Sequence, residues 1–160
     1  MSREHTLIIN PVDPCDPVKI IQTAYHRMNA NDKDRLIDAA VRVRAHAHAP
    51  YSKFHVGAAV LTASGEVFAG CNVENASYGL TICAERVAAG AAVAAGHKQI
   101  VAVAVATVGG HSPCGACRQV LSEFGPAMEV LLIDAENSAS QRTTTLDKLL
   151  PEQFNLAHGQ

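Results

Sequence analysis

Three cysteines in two separate segments set the tightest condition on how this chain folds. Cys83-Ala84-Glu85 forms one segment; Pro113-Cys114-Gly115-Ala116-Cys117, well downstream, forms the other. Three thiolates fill three corners of a tetrahedral zinc site and leave the fourth for water, which separates a catalytic zinc from a structural one. A chain built for that must bring two distant stretches to one point. Glu85, two residues past the first ligand, then stands where the protons of that water can be handled.

Both segments read as helix N-termini. Cys83 or Ala84 opens an Ala-rich helix to about Ala95, ended by Gly96. Cys114 opens a second helix to about Phe124, closed by Gly125-Pro126. Helix N-termini favour negative charge and depress thiol pKa. Three thiolates around one zinc leave net negative charge, and Arg86 and Arg118, each directly after a ligand, are placed to donate to the sulfurs and offset it. Other readings stay open at this point. A Cys-x-x-Cys alone suits a redox pair, but that leaves Cys83 and Glu85 unexplained. A purely structural zinc needs a fourth ligand, from Cys71, His111 or Cys15. Cys71 reads instead as a small buried side chain at a strand end, and Cys15 as a bystander. His46, His48, His55 and His97 read as surface residues.

The rest of the chain supplies a scaffold. Residues 1–31 read as an N-terminal extension, with a short helix over Val18–Met28, and residues 32–160 as a single domain. Asp32 or Asp34 caps a helix to about Ala47, with Leu36, Ile37, Ala40 and Val41 at helical spacing, and Pro50 ends it. Val56–Thr62 and Glu66–Cys71, joined by Ala63-Ser64-Gly65, give a β-hairpin signal. Asn72–Thr81 reads as loop. Ile100–Thr107 is a continuous apolar run of the buried parallel-strand kind. Glu129–Asp134 is another strand, Thr143–Thr145 a short one, and Leu146–Leu150 a last helical turn. The βαβ order after the hairpin implies a three-layer α/β sandwich with a mixed sheet.

Charge and cysteine usage exclude several classes. The net charge is −2 with no basic stripe, against a nucleic-acid partner, whose phosphates demand clustered Lys and Arg. No apolar run is long enough for a membrane span, and the first residues carry no signal-peptide core, so a cytoplasmic protein with no membrane partner is expected. Five cysteines, an odd count, point to metal use rather than a disulfide framework.

With these residues in view, the chain resembles the small, homotetrameric, zinc-dependent cytidine deaminases over roughly residues 32–154. The matching blocks run Ala49-Pro50-Tyr51-Ser52-Lys53-Phe54-His55-Val56-Gly57-Ala58-Ala59, Gly70-Cys71-Asn72-Val73-Glu74-Asn75-Ala76-Ser77-Tyr78, Ile82-Cys83-Ala84-Glu85-Arg86, Pro113-Cys114-Gly115-Ala116-Cys117-Arg118-Gln119 and Leu149-Leu150-Pro151-Glu152-Gln153-Phe154. The cysteine signature alone marks zinc deaminases in general; the Asn72-x-Glu74-Asn75 block narrows the resemblance to nucleosides. It implies an α/β fold, a three-layer α/β/α sandwich with a mixed, mostly five-stranded sheet. It implies hydrolytic deamination of cytidine and deoxycytidine, by a zinc-activated water with Glu85 as proton shuttle. Cys83, Cys114 and Cys117 would bind one zinc per subunit, and Asn72 and Glu74 the sugar. Phe54 would pack against the base, Ala84 would take part in binding the substrate, and Phe154 would stack on the base from a neighbouring subunit of a homotetramer. Tyr51 and Tyr78 would lie near subunit boundaries. Without the resemblance, Phe54 and Phe154 read as core residues. The alternatives are a deaminase of another cytosine-bearing molecule of blasticidin type, a polynucleotide deaminase and a non-catalytic zinc module. The departures are the longer extension, His55, and the unusually Ala/Gly-rich helix after Arg86, whose small side chains suit close helix approach between subunits.

Overall fold

The computed structural model describes residues 27–137 and 140–156. Helix α1 spans Ala30–Val43 and is followed by a 3-10 turn at Arg44–His46; strands β1 (Gly57–Thr62) and β2 (Val67–Cys71) form the hairpin. Then come α2 (Ala84–Ala94), β3 (Ile100–Thr107), α3 (Gly115–Ser122), β4 (Glu129–Asp134), β5 (Gln141–Thr145) and α4 (Leu146–Leu149). The strands form one five-stranded sheet in the order β2-β1-β3-β4-β5. Only β3 and β4 run parallel, and α3 provides the crossover between them; the other pairings are antiparallel. The sheet is mixed, as expected.

Residue alternation along the strands divides the core into two layers. Ala59, Leu61, Ala102, Ala104, Ala106, Leu131 and Ile133 pack on one face with Leu36 and Ala40 of α1. Ala58, Val60, Val103, Val105, Val130 and Leu132 pack on the other with Ala84, Ala88 and Ala92 of α2 and Leu121 of α3. That makes the three layers. Two glycines set how closely the helices sit. A β-carbon at Gly57 would fall 2.1 Å from Ala40 O of α1, and one at Gly70 only 2.5 Å from Ala88 N of α2. The alanines of α2 serve the same close approach: Ala84, Ala88, Ala89 and Ala92 are buried against the chain's own sheet.

The start of α1 differs from the sequence expectation. Asn29, not Asp32 or Asp34, is the N-cap. Its Oδ1 accepts from Asp32 N (3.0 Å) while Asp32 Oδ2 accepts from Asn29 N (3.1 Å). This is a capping box with Asp in the role usually held by Glu or Gln. The helix ends earlier than Ala47, tightening into the 3-10 turn. Strand β5 extends two residues further upstream than Thr143. The helix expected over Val18–Met28 lies outside the described residues except for Arg27 and Met28, and Cys15 lies outside them too. Among the described residues, no helix is long and apolar enough to cross a membrane.

Candidate active site

Cys83 and Cys114 occupy the N-cap positions of α2 and α3, and neither side chain makes a capping hydrogen bond. Their sulfurs are therefore left for another partner. Cys117 lies in the first turn of α3. The Sγ atoms of Cys83, Cys114 and Cys117 all fall within 4.8 Å of one another. A tetrahedral zinc with sulfurs at about 2.3 Å would hold them about 3.8 Å apart, so this soft donor set fits the metal in both kind and spacing. Cys117 is buried, Cys83 half-buried and Cys114 exposed, which leaves the cluster open on one side. Among the described residues no fourth ligand joins it: Cys71 and His111 lie outside the group. The structural-zinc reading lacks its last donor there.

The surrounding groups tune these thiols. The hydrogen bond from Cys117 pulls the Cys83 thiol down to about 5, with help from Arg86 and against its partial burial. The same bond and burial push the Cys117 thiol up. Arg86 Nη2 donates to Thr81 O at 3.0 Å and reaches Cys83 Sγ at 3.8 Å. Arg118 behaves differently. Its Nε donates to Pro113 O (2.8 Å), its Nη1 to Leu149 O (2.8 Å) and its Nη2 to Ser112 Oγ (3.0 Å). The guanidinium thus braces the loop before Cys114 and ties it to the C-terminal segment instead of donating to sulfur.

Glu85, in the first turn of α2, is 4% exposed. Burial raises its carboxyl pKa above the ordinary value, and Cys83 adds to the rise. It lines a cavity of about 280 Å³ together with Cys83, Ala84 and Cys114, and with Phe54, Asn72 and Glu74. Seven of the residues expected to bind the metal, carry the proton or hold the substrate therefore meet in one hollow, which Tyr78 also lines; Cys117 joins them through the sulfur cluster. A larger hollow of about 620 Å³ between Met28, Ile100 and Met128 is lined by no cysteine or histidine.

The Asn72 and Glu74 side chains are held by the Tyr51–Val56 loop. Asn72 Nδ2 donates to Phe54 O (2.9 Å) and its Oδ1 accepts from Val56 N (2.8 Å). One N–H of the carboxamide is left over. Glu74 Oε2 accepts from Tyr51 N (2.9 Å) and Ser52 N (3.2 Å), and Oε1 accepts from the Ser52 hydroxyl. The Ser52 hydroxyl holds the Glu74 carboxyl below its usual range, assisted by the two amides and against partial burial. Glu74 is thus a fixed anion inside the cavity.

Phe54 is 41% exposed and Phe154 67% exposed, so neither is a core residue. Phe154 does not line the cavity of its own chain; Gln119 Nε2 donates to its carbonyl at 2.9 Å. Ser52, Val105, Thr107 and Ser112 also line the cavity without a role expected from the sequence, and His111, a candidate only for a fourth zinc ligand, lines it too. Of the four without an expected role, Ser52 alone falls in a matching block, Ala49–Ala59.

The family model for the cytidine and deoxycytidylate deaminase zinc-binding region matches residues 19–133. A probable cytidine deaminase of Dictyostelium discoideum is 46% identical over 131 residues, 80% of this chain and 87% of that protein. A crystal structure of cytidine deaminase from Burkholderia pseudomallei is similar with a TM-score of 0.72 and 48% identity, covering 79% of this chain and 100% of that one. A blasticidin-S deaminase of Bacillus cereus is more distant, at 34% identity over 64% of this chain. The matched region contains all three clustered cysteines and Glu85, and on this evidence the chain belongs to the cytidine and deoxycytidylate deaminase family.

Proposed function

We propose that this chain hydrolyses cytidine and deoxycytidine to uridine and deoxyuridine with release of ammonia. The observation that carries the reading is the convergence of an open three-sulfur cluster, a buried carboxylate and the Asn72–Glu74 pair in one cavity. When bound at the three sulfurs, zinc would acidify a water and offset the negative charge that develops on the attacking oxygen. Glu85 takes a proton from that water and gives it to N3 of the pyrimidine. Water adds at C4 to give a tetrahedral carbon. Glu85 then carries the second proton to the amino group, and ammonia departs. Burial serves Glu85 here, because a carboxyl that titrates closer to neutrality exchanges protons in both directions.

Glu74 favours nucleosides over nucleotides. Its fixed negative charge accepts from a sugar hydroxyl and repels a phosphate. Glu74→Ala should raise KM for cytidine while leaving the zinc content at the parent value, and a 3′-deoxy substrate should be poor with the parent chain. Equal processing of the 3′-deoxy substrate and cytidine would remove the sugar assignment. The reading as a whole is tested by ultraviolet monitoring with cytidine, deoxycytidine, cytosine, blasticidin S and the monophosphates. Loss of the cytidine absorbance with the monophosphates untouched is expected; a preference for blasticidin S would move the chain to the other substrate class.

A homotetramer with shared active sites, in the cytoplasm, belongs to the same proposal, as does a single deaminase domain over residues 32–160 behind an extension of 1–31. The capping box at Asn29 favours a joint a few residues upstream of 32. Exposed Tyr51, Tyr78, Leu80 and Ile82, and Phe154 and Leu156 in the C-terminal segment, favour the assembly, since exposed apolar side chains of this size suit burial between subunits. Phe154→Ala should therefore raise KM without removing zinc. Mixing chains truncated after Pro151 with Glu85→Gln chains should restore some activity, because one subunit lends its tail to another's metal site. A monomeric mass at full activity would end the assembly proposal.

A further inference from the structure

The cavity has a wall that neither the sulfur cluster nor the Asn72–Glu74 pair explains. After β3 ends at Thr107, the chain turns through Gly109 and Gly110, both at positive φ (78° and 61°), where a side chain would be strained. The turn is tied down at several points. Gly110 N donates to Thr107 O at 3.3 Å, Gly109 N to Asp134 Oδ1 at 3.0 Å, and His111 N to the Thr107 hydroxyl at 2.8 Å. Thr107 itself is only 3% exposed, so the anchor for His111 is buried. A β-carbon at Gly109 would lie 3.2 Å from His111 Nε2; the glycine makes room for the imidazole. The ring also meets Phe54, with centroids 6.1 Å apart and planes inclined by 52°. Both rings line the cavity that holds Glu85 and Cys114, and both are solvent-exposed, which puts them where the cavity opens.

We infer that His111 is a specificity-determining residue of this chain, forming with Phe54 an aromatic corner against which the flat pyrimidine ring packs. The inference rests on the reading of the chain as a deaminase of cytosine nucleosides. Aromatic rings favour inclined or offset contacts with centroids about 4.5–7 Å apart, and the observed pair already has that geometry. Two exposed ring surfaces set at an angle are covered together by one flat heteroaromatic ring. The cavity of about 280 Å³ falls at the small end of ligand sites, which suits a single-ring base over a purine. His111 takes no part in the sulfur cluster, so its contribution is to hold the base.

Three variants separate ring packing from hydrogen bonding. His111→Phe keeps a ring without nitrogens, His111→Gln keeps a polar side chain without a ring, and His111→Ala keeps neither. With cytidine as the probe, the Ala and Gln variants should raise KM about five- to twentyfold, the scale of a lost base–aromatic contact. Their kcat should stay within about threefold of the parent, as for a contact made equally in ground and transition states. His111→Phe should bring KM back to within about twofold of the parent. Zinc content and melting temperature on the same preparations separate a lost contact from a lost site; if the Ala variant does not fold, the Phe and Gln pair decides. An unchanged KM in the Ala variant overturns the inference, and so does rescue by Gln but not by Phe. An unaltered chain that leaves cytidine untouched sinks the deaminase reading and this assignment with it, whereas an active parent with indifferent variants sinks the assignment alone.

Discussion

Glu85→Gln will keep the fold and the metal and lose turnover by about 10²–10⁴-fold, the share that general acid–base catalysis typically supplies. Gln fills nearly the same volume, so the buried first turn of α2 has no reason to rearrange. It can still donate and accept hydrogen bonds, but it cannot carry a proton from water to N3 and on to the amino group. The loss should therefore fall on kcat, with KM near the parent value. Steady-state kinetics with cytidine and metal analysis on one preparation check both halves. Turnover near that of the parent would remove Glu85 from the proton path.

Cys117→Ala should strip zinc, abolish activity and lower Tm. Cys117 is the buried member of the cluster, and two remaining thiols make a poor zinc site, with the metal's folding free energy lost along with it. Cys71→Ala is the matched control. Cys71, a half-buried free cysteine at the end of β2, lies outside the sulfur group, so its loss should leave the metal in place. If Cys71→Ala empties the site and Cys117→Ala does not, the ligand set is wrong.

How much of this was legible in the sequence depended on whether the signal was local. Strands β3 and β4 coincide residue for residue with the runs Ile100–Thr107 and Glu129–Asp134, because continuous apolar stretches punctuated by Gly and Pro have few other uses in a chain of this size. The helix starts at Cys83 and Cys114 were readable for the same reason. The N-cap of α1 was not, because Asn29, Asn31, Asp32 and Asp34 compete within six positions; only the reciprocal bonds between Asn29 and Asp32 decide. The first two residues of β5 carry no strand signal because Gln141 and Arg142 are exposed edge residues, without the apolar alternation that marks a half-buried strand.

The site divided in the same way. The three cysteines and Glu85 follow from spacing and ligand chemistry. The partners of Arg118 do not: Leu149 lies 31 residues away, and adjacency to Cys117 suggested a sulfur instead. The partnership of Phe54 with His111 depends on the fold of two loops, one pinned by Asn72 and the other by a glycine pair. Neither loop announces its geometry through periodicity. Phe154 illustrates a further limit, since a large aromatic residue suggests a core position, whereas here it is left exposed near the end of the chain.

The zinc-edge X-ray absorption spectrum of the purified chain tests the central claim most directly, because an open metal corner is what makes the cluster catalytic. Three sulfur neighbours at about 2.3 Å and one lighter oxygen neighbour are the expected result. Four sulfurs, or a histidine nitrogen in the coordination shell, would contradict it.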